Sequence, residues 1–159
     1  MSKSLKRVIA ALDAADTPYD LREMPDSTRT AREAADAVGC ALDQIAKSIV
    51  VEGEISGKLT LFVTAGGNRV CTETVAELLG EGSHPASGSR IREVTGFAIG
   101  GVSPVGHLNP IRAYFDPRLT DFEEVWAAAG TPRHVFGIAP DRLRRLCRGE
   151  LADFVETDA

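Results

Sequence analysis

A chain of 159 residues, 43% hydrophobic and 26% charged, has enough apolar side chain for one core and needs neither disulfides nor metals to hold it. Its net charge of −5 argues against a domain whose main business is coating nucleic acid, which needs a strongly basic face, but leaves room for gripping one RNA end. No apolar run approaches a membrane span, residues 1–11 lack the apolar stretch of a secretory signal, and Cys40, Cys71 and Cys147 read as free thiols of a reducing compartment, so the expected location is the cytoplasm.

Leu5, Val8, Ile9 and Leu12 recur at helical spacing and predict an amphipathic helix over 4–15 that ends before Thr17-Pro18. Tyr19 to Glu23 reads as a short strand. Thr30 and Glu33 stand three apart in a capping-box pattern, Ala31, Ala34, Ala35 and Val38 make a small apolar stripe behind them, and Gly39 is the expected stop. Ser48 to Val51 and Leu59 to Thr64, separated by Gly53 and Ser56-Gly57-Lys58, read as a hairpin. Thr72 is the expected cap of a short helix with Val75, Leu78 and Leu79 inward, and a weaker helical pattern covers 87–94. From Thr95 to His107, five residues (Gly96, Gly100, Gly101, Pro104 and Gly106) interrupt an otherwise apolar stretch, which implies a shaped loop. Strand composition returns at 111–115, 124–128 and 133–138, Pro140-Asp141 opens a last helix with Leu143, Leu146 and Cys147 inward, and 151–155 is expected to close the fold as an edge strand.

Short strands mixed with helices and hairpin turns favour a mixed α/β fold over a regular parallel array. The expectation is a single domain over 1–159, with a largely antiparallel sheet or an irregular barrel surrounded by helices. Basic residues gather at Lys3, Lys6 and Arg7, at Arg29 and Arg32, and at Arg142, Arg144, Arg145 and Arg148, each read as a solvated helix face.

Two features carry chemistry. Strand alternation puts Lys47 on the face of Ile49 and Val51, a buried face, so it is either a strand-end lysine that snorkels into water or an ammonium at the rim of a pocket. The run Gly100-Gly101-Val102-Ser103-Pro104-Val105-Gly106 is either a plain bend or a loop whose stiffened amides point at an oxygen. It approaches a serine-hydrolase elbow, but Val105 replaces the last glycine and Pro104 hinders the turn into a helix. His84, His107 and His134 lack zinc-site spacing, and neither a Walker nor a dinucleotide motif occurs.

Three stretches together, Thr30 with Glu33-Ala34-Ala35, Gln44 through Val51, and Thr95 through Gly106, resemble the YbaK/EbsC family, relatives of the editing domain in bacterial prolyl-tRNA synthetases. The resemblance implies an aminoacyl-tRNA deacylase that works without cofactor or protein nucleophile. Water attacks the ester, Lys47 is the catalytic cation, and Thr30, Ser48, Gly100, Gly101, Val102, Ser103, Pro104 and Gly130 bind substrate. The implied partner is the aminoacylated 3′ end of tRNA, with a synthetase as a further one, and neither DNA nor a membrane. Ala127 to His134 departs from the better-known members except at Gly130, which leaves the amino acid open, with alanine or a similarly small one preferred. The competing reading is a binding module of the same fold without catalysis.

Overall fold

The computed structural model describes residues 2–25 and 30–157; Arg29 of the second basic group lies outside them. Helix α1 (Lys3–Ala14) starts where the Leu5 N–H donates to Ser2 Oγ at 3.0 Å, and it buries Leu5, Val8 and Leu12. Burying each is worth about 1.5–3 kcal/mol, which fixes α1 on the sheet. Strand β1 (Asp20–Glu23) follows. Helix α2 (Ala31–Val38) is capped by Thr30, whose Oγ1 accepts the Glu33 N–H at 3.1 Å, and ends at Gly39 with φ +78°.

The central hairpin is longer than expected, pairing β2 (Ile45–Gly53) with β3 (Leu59–Ala65). Every residue of β3 is buried because helices or loops cover both sheet faces. Leu61, Val63 and Ala65 join the main core with α1, while Phe62 turns to a second cluster with Val51, Val75, Tyr114 and Phe154. Next come α3 (Thr72–Leu79), a three-residue strand β4 (Ser83–Pro85) that the pattern did not reveal, and α4 (Gly88–Thr95). After the 95–107 loop, the chain forms β5 (Arg112–Phe115), β6 (Val125–Ala128), β7 (His134–Ile138), α5 (Pro140–Cys147) and β8 (Gly149–Leu151).

The strands make one mixed sheet in the order β1-β7-β6-β2-β3-β5-β8, with β4 beside β2. Four of the seven pairings are antiparallel, and the sheet is open, running from β1 at one edge to β8 at the other, so the barrel alternative is not realised. Two expectations need correction. The last strand is Gly149–Leu151, parallel to β5, and beyond it, among the described residues, only Val155 bridges, to Val70. Cys71, not Thr72, is the N-cap of α3, because the Cys71 N–H is drawn to Phe154 O at 2.7 Å and the chain is still extended there.

Candidate active site

One edge of β2 is covered unevenly. Its first residues, Ile45 and Ala46, pair with β6, and its last, Val51 to Gly53, pair with β4, which leaves the stretch between them without a neighbouring strand on that side. A cavity of about 380 Å³ opens there, a volume within the small-molecule range of roughly 300–1,000 Å³. Residues 45–50 of β2 form one wall, the start of α2 at Thr30, Ala31 and Ala34 stands over it, and Ile99, Gly100 and Val102 of the loop face it. Trp126, Ala127 and Val135 close the apolar end. A cleft of about 530 Å³ elsewhere, lined by Lys58, Glu81, Arg90 and Arg112, contains none of the sequence-selected residues.

Lys47 is half-buried, and its Nζ donates to the Gly66 carbonyl at 3.3 Å. Burial pulls its pKa below the ordinary 10.5, and the Arg69 guanidinium lowers it further, while Asp116 and then Asp43 oppose the fall. The ammonium is thus poorly solvated, which strengthens its pull on any oxygen brought to it. Ser48 borders the same cavity, with an Oγ sealed from solvent and without a hydrogen-bond partner among the described residues. Leaving a buried hydroxyl unpaired costs about 1–3 kcal/mol.

The loop is held by Arg7 from outside its own sequence and by His107 from within it. Arg7 of α1 donates from Nη2 to Gly96 O at 2.9 Å and from Nε to Gly106 O at 3.2 Å, and its guanidinium lies 5.1 Å from the centre of the Phe97 ring. His107 Nε2 donates to Ser103 O at 2.6 Å, which sets the tautomer. Burial keeps the His107 pKa below 6.5, with the Ser103 carbonyl opposing and Arg7 adding to the fall, so the ring is neutral near pH 7. Gly100, at φ +94°, takes a backbone angle that L side chains rarely adopt.

Of the residues singled out in the sequence, Lys47, Thr30, Ser48, Gly100 and Val102 line the cavity. Gly101, Ser103, Pro104 and Gly130 are not among its lining residues. Gly101 packs on the Thr131 backbone, where a Cβ would come within 2.8 Å, and Gly130 packs as closely on Ser4 O. Ser103 is fully buried, with its Oγ accepting the Val105 N–H at 3.2 Å, while Pro104 borders a separate cavity with Cys147. Gly101, Ser103 and Pro104 shape the loop from behind, while Gly130 lets the chain pass close to α1. Thr30 Oγ1 is engaged with Glu33 in the cap. His134 turns away and meets Thr131 Oγ1 at 2.7 Å. Sequence reasoning missed the loop clamps Arg7 and His107 and the apolar wall at Trp126. Arg7 carried no local signal, because the residues it holds lie 89 and 99 positions away.

Residues 25–146 match the family model described as the aminoacyl-tRNA editing domain. The chain belongs to that family. Among solved structures, this editing domain is similar to a candidate trans-editing enzyme for prolyl tRNA synthetase, with 44% identity, a TM-score of 0.90, and 99% of each chain covered. It is also similar to the hypothetical protein APE2540, at 26% identity and a TM-score of 0.85 over 94% of this chain and 99% of that one. The uncharacterized protein YwhH of Bacillus subtilis (strain 168) is 30% identical over 140 residues, 88% of each protein. The resemblance and the mixed α/β fold read from the sequence agree with these matches. No helix among the described residues is long and apolar enough to cross a membrane.

Proposed function

We propose that this editing domain, acting as one unit over 1–159 in the cytoplasm, hydrolyses the ester that joins a small amino acid, alanine or one of similar size, to the 3′ end of a mischarged tRNA. The observation that carries this reading is a single cavity bordered both by the Lys47 strand and by Gly100 and Val102 of the loop. A water attacks the aminoacyl carbonyl. The Lys47 ammonium and main-chain amides of the loop stabilise the charge that develops on the carbonyl oxygen, and a ribose hydroxyl of the substrate assists proton transfer. Because an aminoacyl ester is already activated, positioning and electrostatics are enough to lower its barrier. Ser103, with its hydroxyl buried and committed to Val105, takes no part as nucleophile. No cofactor enters this reading, and a prolyl-tRNA synthetase is the partner suggested by the relative with which the chain shares 44% identity.

The apolar end, with Trp126 and Ile45, limits side-chain size. Overfilling a fixed cavity is penalised, whereas one missing methylene changes binding by only about 1–3 kcal/mol. Initial rates on alanyl-, seryl-, cysteinyl-, prolyl- and phenylalanyl-tRNA test this: rates should be high for the smallest groups and lowest for phenylalanyl. Equal rates across the series refute the size filter, and binding of charged tRNA without release of amino acid favours the non-catalytic module.

A further inference from the structure

The turn that receives the Lys47 ammonium is fastened more heavily than a surface turn requires. After β3 ends at Ala65, the chain reverses through Gly66, Gly67 and Asn68, with the Asn68 N–H donating to Ala65 O at 2.9 Å. At Gly66 a Cβ would collide with the Leu42 carbonyl oxygen. Two carboxylates converge on this turn. Asp116, next after β5, accepts the Ala65 N–H at 3.0 Å and the Asn68 side-chain amide at 2.8 Å on Oδ2, and the Arg118 N–H at 2.9 Å on Oδ1. Asp43 accepts the Gly67 N–H at 2.8 Å and the Arg118 Nε–H at 3.0 Å.

Asp116 is only 2% exposed, yet it has no ion pair among the described residues, while the Arg118 guanidinium is taken by Asp43 and Asp121. A buried carboxylate is costly unless its charge is used. We propose that Asp116 is a positioning residue for Lys47, locking the turn whose Gly66 carbonyl holds the ammonium and standing as its buried counter-charge, with Asp43 in a lesser share of the same role. This rests on the reading of Lys47 as the catalytic cation. The charged groups that act on the ammonium are Asp116 and Asp43 on one side of the balance and Arg69 on the other. Removing a carboxylate therefore tips that balance toward the neutral amine.

The test reads Lys47 directly, without substrate. The chain has four lysines, Lys3, Lys6, Lys47 and Lys58, so amine labelling by an acylating reagent followed by peptide mass spectrometry resolves each one. Labelling rates are measured against pH for the wild type, Asp116→Asn and Asp43→Asn, with circular dichroism to confirm folding. For Lys47 the pH midpoint should fall in Asp116→Asn, giving about 3-fold to 10-fold faster labelling at pH 8, and fall less in Asp43→Asn, while the rates at Lys3, Lys6 and Lys58 stay constant. The alkaline limb of kcat on alanyl-tRNA should move to lower pH in the same order. An unchanged or raised Lys47 midpoint overturns the proposal, since a purely structural aspartate leaves that midpoint alone or frees the lysine into water. If Asp116→Asn does not fold, Asp43→Asn decides by the same criterion. Should Lys47→Ala retain full turnover, the catalytic reading of Lys47 falls, whereas the labelling result still stands or fails by itself.

Discussion

On one side of the cavity stand residues 45–50 of β2, within a strand paired to β3 over seven residues; on the other stands the 95–107 loop, which joins no strand and is clamped by Arg7 from α1 and by its own His107. A strand wall gains its rigidity from a repeating ladder, so a single substitution on it removes one side chain and leaves the wall standing. A clamped loop depends on a few charge-assisted hydrogen bonds, so one substitution can loosen all of it. Chemistry that needs a fixed cation and fixed amides draws on both devices, and substitutions on the two walls should fail differently.

The largest effect is expected on the strand wall. Lys47→Ala should lower deacylation by about 10-fold to 1000-fold with the circular dichroism spectrum and melting temperature close to wild type, the scale of removing one electrostatic group from an active site. Lys47→Arg should not restore full activity, because a planar guanidinium cannot occupy the same point. Since burial holds the Lys47 pKa below 10.5 and the charged form is the active one, wild-type kcat should decline as pH rises through a midpoint below that value. Wild-type turnover in Lys47→Ala removes the catalytic assignment.

Arg7 is the matching test of the loop wall. Arg7→Met keeps the apolar stem but deletes both donors and the contact with Phe97, so it should cost about 2–4 kcal/mol of stability together with roughly a 10-fold loss of kcat. Thermal melts and single-turnover rates check the two together. Loss of stability without loss of rate would show that loop order is not needed for the chemistry, and the contrast between the walls would disappear.

The next test lies at the cavity's lip. Ile99 is 64% exposed yet borders the cavity, and its Cδ1 rests over Gly88, where a Cβ would come within 3.0 Å. An apolar group left in water at the mouth of a site gains when substrate covers it. Ile99→Ser should raise KM roughly 5-fold, about 1 kcal/mol of lost apolar contact, with kcat within about 2-fold of wild type. A change in kcat alone would place Ile99 in loop order and not in substrate contact.

The two walls also differ in what could be read before folding. The strand wall was legible because local rules decide it. The alternation of Ile49 and Val51 marked Lys47 as out of place, and the Thr30 to Glu33 spacing marked the start of α2. The loop was legible as a loop, from its glycines, and through a family resemblance, but its inward and outward residues were not. Period-2 or period-3.6 logic has no purchase there, and the path is set by contacts distant in sequence, such as Gly101 on the Thr131 backbone and Arg7 on Gly96. Hence Gly101, Ser103 and Pro104, which the family resemblance implies as substrate-binding, pack behind the cavity instead. The early end of the last strand was hidden for a similar reason: 151–155 has strand composition, but the partner that matters for β8 is β5.

The smallest effect is expected at the three thiols, Cys40, Cys71 and Cys147. Cys71 caps α3, where the Thr74 hydroxyl and then its N–H pull the thiol below its ordinary pKa; burial pushes Cys40 up and drives Cys147 to about 11. The thiolate is the form that reacts, so iodoacetamide at pH 8 should modify Cys71 first, Cys40 more slowly and Cys147 only on unfolding. None of the three lines the Lys47 cavity, so full modification of Cys71 should leave deacylation within about 2-fold of wild type. Cys147 is the informative exception, because it shares a cavity with Pro104 behind the loop, and a bulky adduct there would press on the loop from the rear. Alkylation in mild denaturant followed by refolding should therefore reduce kcat only in the fraction modified at Cys147, as read by mass spectrometry beside initial rates. Loss of activity that tracks Cys71 modification, with circular dichroism unchanged, would instead point to a cysteine mechanism and overturn the lysine-centred account.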